Sequence, residues 1–156
     1  MNIPMENLVH KAISLALRAH EGQEDKGGAA YILHPLRVAL RFTDSRLQIV
    51  AILHDVIEDS STTAEDLCAA GFDAMLVEAI VALSKRVGET YDQFIARIAN
   101  NDLARQVKIA DIEDNMSITR LPYLTELDIA RLNKYKRSHA YLTAIGDAEP
   151  RGLREP

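Results

Sequence analysis

Cysteine is almost missing from this chain. Cys68 is alone among 156 residues, so no internal disulfide can staple the fold. Long apolar runs are missing too. None comes near the roughly 20 residues that a membrane-spanning helix needs, and the N-terminal stretch carries Glu6, His10 and Lys11 where a signal core would be apolar. Positive charge is in deficit: 18 Lys and Arg stand against 23 Asp and Glu, a formal net charge of -5, with no basic block able to track a phosphate backbone. Nucleic acid is thereby excluded as a partner, and a soluble cytoplasmic protein without a membrane partner is expected. Nothing repeats internally, no segment is of low complexity, and no stretch alternates with the two-residue period of a half-buried strand. No feature specifies an oligomeric state.

What remains is helical spacing from end to end. Leu8, Val9, Ala12, Ile13, Ala16 and Leu17 recur at three- and four-residue intervals, an amphipathic stripe that His20 continues. Gly22, Gly27 and Gly28 among charged residues make 21–30 a loop in which the chain reverses. Pro35 suits the first turn of a second helix. Further helices are expected over about 46–58, 64–70, 73–85, 90–100, 102–118 and 125–145, with Ser60 to Thr63 offering an N-cap and Gly71 a stop. The expected fold is an all-α single-domain bundle of about seven or eight helices. It occupies residues 1–147, and 148–156, with two prolines, a glycine and little to bury, reads as a flexible tail.

One dipeptide does not belong to this packing pattern. His54-Asp55 interrupts the apolar run from Leu47 to Ile57, and an imidazole beside a carboxylate there needs a proton, a cation or a metal. Leu47, Val50, His54 and Ile57 fall on one helical face, so the His54 ring points inward. Asp55, Glu58 and Asp59 climb the flank of that face as a strip of like charges that a cation would neutralise. Leu103, Val107, Asp111 and Asn115 form a second stripe, and His34 precedes Pro35. Each residue alone has a plainer reading. A core histidine can bond a backbone carbonyl, Asp111 can pair with Lys108, and Glu58-Asp59 can be a solvated helix end. Four N and O donors turned inward from separate helices favour a metal site.

The order His34, His54-Asp55, Asp111 resembles the metal-binding pattern of the HD-domain phosphohydrolase superfamily. The blocks Ala19 to Gln23, Tyr31 to Ala39, Leu53 to Asp59 and Val107 to Asp111, with Asn115-Met116, are similar to the hydrolase domain of RelA/SpoT-type alarmone enzymes. The similarity runs from about Leu8 to Leu121. At this length the chain resembles the stand-alone small alarmone hydrolases of the stringent response. That resemblance implies Mn²⁺, or another divalent ion, held by His34, His54, Asp55 and Asp111, which would activate a water. It further implies Glu58 and Asp59 as the catalytic acidic pair, and Lys26, Tyr31 and Asn115 as substrate-binding residues. The implied reaction removes the 3′-pyrophosphate from a (p)ppGpp-like purine nucleotide, giving pyrophosphate and a nucleoside 5′-di- or triphosphate.

Two positions depart from the family. Asp25 stands where relatives carry a base-stacking arginine, and Ile118 where they place a small hydroxyl near the ribose. An adenine alarmone such as (p)ppApp, a common (deoxy)nucleotide, or a non-catalytic metal-containing nucleotide-binding module are the alternatives.

Overall fold

Short polar side chains set the helix starts. Thr63 and Thr90 form capping boxes with Asp66 and Gln93, while Asp44, Asp73 and Asn101 each accept a backbone N–H of the first turn. The computed structural model describes residues 4–148, so the tail expected at 148–156 lies outside the described residues from position 149 onward. Among the described residues nine helices follow in chain order: α1 (Met5–Ala19), α2 (Leu33–Ala39), α3 (Ser45–Leu53), α4 (Val56–Asp59), α5 (Ala64–Ala69), α6 (Ala74–Ala82), α7 (Tyr91–Ile98), α8 (Asp102–Asn115) and α9 (Glu126–Ala148). The described residues contain no strand, only one isolated antiparallel bridge between Glu24 and Ala30 that pinches the loop after α1. None of the described helices is long and apolar enough to cross a membrane.

The ninth helix arises because the expected helix over 46–58 is broken at its most informative point. His54 and Asp55 form a turn between α3 and α4. The His54 Nδ1–H donates to the Ala51 carbonyl at 2.7 Å, the acceptor that the Asp55 N–H would use in an uninterrupted helix. Side-chain and backbone donors compete there, and the axis restarts at Val56. α8 also ends at Asn115, three residues before the expected stop at 118.

α3 is the centre of the bundle. Ile49, Val50, Ala51, Ile52 and Leu53 are all buried, because α1 and α2 pack on the helix with α6 and α8 behind them. A helix apolar on every side can sit only inside. That burial holds the His54-Asp55 turn, at the end of α3, in the middle of the molecule.

Arg97 on α7 closes the α6–α7 connection. Its Nε and Nη2 meet Glu89 at 2.7 and 3.0 Å, and Nη1 and Nη2 donate to the Ala82 and Ser84 carbonyls at 2.9 and 2.8 Å. The guanidinium hydrogen bond, with the Arg86 N–H, holds the Glu89 carboxyl down to about 2 from 4.5. A lowered carboxyl contributes stability above its unfolded value, and that contribution is lost as pH falls through the folded value. Glu89→Gln is therefore expected to lower Tm at pH 7, with the gap to the wild type closing between pH 4.5 and 2. A gap that stays constant on thermal scans across that range would exclude the ion pair as its source.

Candidate functional site

Two helices and one turn deliver the four candidate donors. α2 brings His34 in its first turn, the α3–α4 turn brings His54 and Asp55, and α8 brings Asp111 on its buried face. His34 Nε2 lies 3.0 Å from Asp111 Oδ1 and 3.9 Å from Asp55 Oδ2. His54 Nε2 lies 2.8 Å from Asp55 Oδ2 and 3.6 Å from Asp111 Oδ1. The ligand atoms of His34, His54 and Asp111 all lie within 4.8 Å of one another, and Asp55 stands beside this trio against His54.

The hydrogen bonds on the far sides of the rings show what the cluster fits. His54 Nδ1 donates to the Ala51 carbonyl, and His34 Nδ1 lies 2.7 Å from Asp114 Oδ2. With Nδ1 carrying the proton in each ring, Nε2 of the neutral imidazole is a lone pair turned toward carboxylate oxygens. Among the described residues His54 Nε2 is a buried nitrogen with no well-aligned hydrogen-bond partner, despite its closeness to Asp55. Two lone pairs against two carboxylates repel one another unless a cation sits between them or a ring takes up a second proton. His34, His54 and Asp111 meet the spacing of a metal-binding group, and Asp55 lies beside them. The mixed N and O donor set fits a divalent first-row ion.

The charges around the cluster are partly balanced. Lys108 Nζ reaches Asp111 Oδ2 at 2.7 Å, so the ion pair read from their spacing does form, but as a buried pair. Burial opposes both charges, yet their attraction wins: Lys108 is raised and Asp111 is held well below the usual carboxylate range. Asn115 Nδ2 donates to Asp111 Oδ1 at 2.7 Å and to the Asp111 carbonyl at 3.1 Å. Its amide thus steadies a candidate ligand, and the residue also lines the neighbouring cleft. The Tyr31 hydroxyl donates to Asp55 Oδ2. Burial, then the Asp55 charge, raise the phenol, so it stays a proton donor.

The acidic pair occupies the other flank. Glu58 is exposed, and its Oε1 accepts the Lys85 N–H at 2.7 Å. It is therefore turned toward the end of α6 in this conformation. The Asp59 residue reaches the surface, but its carboxyl is crowded enough that burial, followed by the nearby Asp55 charge, raises it above the usual value. Neither residue lines the cleft that opens on the His34 side.

That cleft has a volume of about 230 Å³, and its charged lining sets Lys26, Arg37, Arg120 and Arg131 against Glu24 and Asp25. Tyr31, His34 and Asn115 line it together with Gly27, Ser117 and Tyr135. The sequence reading missed Asp114 and these arginines. Arg37 clasps Asp114 with Nε and Nη2, both at 2.9 Å, so one carboxylate joins α2 to α8 and orients His34. The signal was present as helical spacing: Arg37 follows His34 by three residues, as Asp114 follows Asp111. Asp25 is not an empty substitute for an arginine. Its Oδ1 accepts the Gly27 and Ala29 N–H groups at 2.8 and 3.0 Å, and Oδ2 pairs with Arg120 Nη1 at 3.3 Å, which brings an arginine to the cleft from the α8–α9 loop. Ile118 is exposed and Ser117, one position earlier, lines the cleft.

Among solved structures, the fold is that of a SpoT-type hydrolase, the all-α HD bundle. A structure described as "A metazoan ortholog of SpoT hydrolyzes ppGpp and plays a role in starvation responses" superposes with a TM-score of 0.66, covering 92% of this chain and 96% of that one at 19% identity. In sequence, the chain resembles the guanosine-3′,5′-bis(diphosphate) 3′-pyrophosphohydrolase of Aquifex aeolicus, with 32% identity over 119 residues, 69% of this chain. It also resembles the bifunctional (p)ppGpp synthase/hydrolase SpoT of Escherichia coli, with 31% identity over 122 residues, again 69% of this chain. Both matches span only 17% of the length of those relatives. No family model matches the chain.

Proposed function

We propose that the protein is a metal-dependent phosphohydrolase that removes the 3′-pyrophosphate from a (p)ppGpp-like purine nucleotide. One observation carries the reading. Beside a cleft that His34 lines, two imidazoles are anchored through Nδ1 and turn Nε2 toward the Asp111 carboxylate, with Asp55 against His54. The reactions named for the metazoan structure and the curated relatives support the choice of substrate.

His34, His54, Asp55 and Asp111 would hold the ion, Mn²⁺ in our reading. A divalent ion there supplies Lewis acidity toward phosphate and water. The protein's own groups do the rest. Lys26 and the remaining N–H groups of Arg37, Arg120 and Arg131, each of which also pairs with a carboxylate, offer charge-assisted donors to an anionic nucleotide. Tyr31 and Asn115 fix Asp55 and Asp111 while bordering the substrate. Asp59, raised by burial, would position the attacking water and accept its proton, with Glu58 beside it on α4. Water adds to phosphorus, the bond from phosphorus to the ribose 3′-oxygen breaks, and that oxygen leaves with a proton. The products are pyrophosphate and a nucleoside 5′-di- or triphosphate. A cytoplasmic setting suits such a substrate.

A Mn²⁺-supplemented panel of guanine alarmones, adenine alarmones and common nucleotides tests this reading. Pyrophosphate together with GDP from guanosine tetraphosphate is the expected result. Release of orthophosphate or a nucleoside from ordinary nucleotides, with the alarmones untouched, would overturn it.

A further inference from the structure

His20 is buried at 3% exposure at the end of α1, yet none of the roles above uses it. Its surroundings fix its chemistry. Gln23 Nε2 donates to two carbonyls, those of Asp59 at 2.9 Å and Ala19 at 3.3 Å, so the Gln23 amide has one consistent orientation. Its Oε1 then faces His20 Nδ1 at 2.9 Å, and only an N–H on that ring nitrogen completes the contact. His20 Nε2 is left as a buried nitrogen without a partner among the described residues. The ring packs beside Tyr31 with centroids 4.9 Å apart, one residue removed from Asp55.

The other end of this chain of bonds is the weak point of the site. α4 has four residues and cannot support itself, since a single helical turn fixes more dihedral angles than its hydrogen bonds repay. Inside it, Asp59 N donates to the Asp55 carbonyl at 2.9 Å. Beyond that, the Ser60 hydroxyl holds the Val56 carbonyl at 2.6 Å and Gln23 holds the Asp59 carbonyl. The placement of Asp59 therefore depends on a side chain from a different part of the chain, which His20 in turn orients.

We propose that His20 is a positioning residue for the acidic pair, acting through Gln23 to hold Asp59 at the end of α4. This rests on the hydrolase reading, in which Asp59 works on the attacking water. A merely packed ring would be replaceable by phenylalanine. A positioning donor would not be, and an asparagine, whose Nδ2 sits near the place of the imidazole Nδ1, would restore it.

The test is steady-state kinetics of the Mn²⁺-loaded protein on guanosine tetraphosphate, with a melting curve for each variant. His20→Phe and Gln23→Ala are expected to lower kcat by about tenfold or more with KM within about twofold of the wild type, the loss expected when a proton-transfer group is misplaced. His20→Asn is expected to recover most of that kcat without a matching recovery of Tm. Gln23, half-buried in the loop after α1, keeps the test open if His20→Phe fails to fold. Wild-type kcat in Gln23→Ala overturns the proposal, as does a loss confined to KM. An asparagine variant as slow as the phenylalanine one also overturns it, because the ring itself would then be what matters. A wild type that releases no pyrophosphate overturns the hydrolase reading and this role with it, whereas variant failure against an active wild type removes the positioning role alone.

Discussion

Replacing His54 with alanine is expected to abolish pyrophosphate release, by at least about a thousandfold, or ~4 kcal/mol of activation free energy. His54 is the candidate ligand whose Nε2 has no well-aligned hydrogen-bond partner, and it lies 2.8 Å from Asp55 and 3.6 Å from Asp111, with the two histidine rings 5.3 Å apart. Removing it leaves three candidate donors around a buried cavity. The same change removes the bond to the Ala51 carbonyl, so a stability loss of about 2–4 kcal/mol accompanies it, from the cavity and the freed acceptor together. Two measurements separate these effects. The wild type is expected to lose Tm on chelation, because an ion that binds only the folded state stabilises it, whereas the variant's Tm is expected not to respond to chelator. Asp55→Asn, which keeps the shape and removes the charge, is expected to lose turnover while remaining folded. Full turnover in both variants would remove the metal centre from the reaction.

Asp114→Ala is expected to weaken metal binding by about 10- to 100-fold, the usual effect of removing a partner that orients a ligating histidine. Asp114 is no ligand in the arrangement described. It receives the His34 Nδ1–H at 2.7 Å while Arg37 grips both of its oxygens, and Arg120 Nη2 stands 3.8 Å away. Without that carboxylate the His34 ring is free to turn and to carry its proton on Nε2, where a metal needs a lone pair. Asp114→Asn retains an acceptor for His34 but loses the charge that clasps Arg37, so an intermediate affinity is expected. Competition between the protein and a chelator of known strength for Mn²⁺ reads both. An Asp114→Ala variant with wild-type affinity would show that packing alone orients His34.

Much of the architecture was legible because it depends on local signals. Thr63, Asp73, Thr90 and Asn101 cap the helices they precede, and apolar spacing marks α1, α6 and α7 as helices. The break at His54 was not legible, since an apolar helical pattern runs straight through it and only the imidazole's contact with Ala51 interrupts the backbone ladder. The donors His34, His54, Asp55 and Asp111 stood out as polar residues in apolar stripes. Asp114, Arg37 and Arg120 did not, because a charged residue on a helix flank or in a loop looks solvated until its partner's position is known. Asp25 shows the same limit from the other side. As a residue it suggested a lost cation, whereas its bond to Arg120, 95 positions along the chain, shows where a cation is supplied.

By itself, then, the sequence determined the all-α class, most helix boundaries and the residue types able to hold a metal, because periodicity, capping and donor chemistry act within a few residues. Only the tertiary structure decided which ring nitrogen each histidine presents, which carboxylate orients it and what lines the cleft. Those outcomes depend on hydrogen bonds and ion pairs between helices distant in sequence, set when α2, the α3–α4 turn and α8 are brought together around one buried centre.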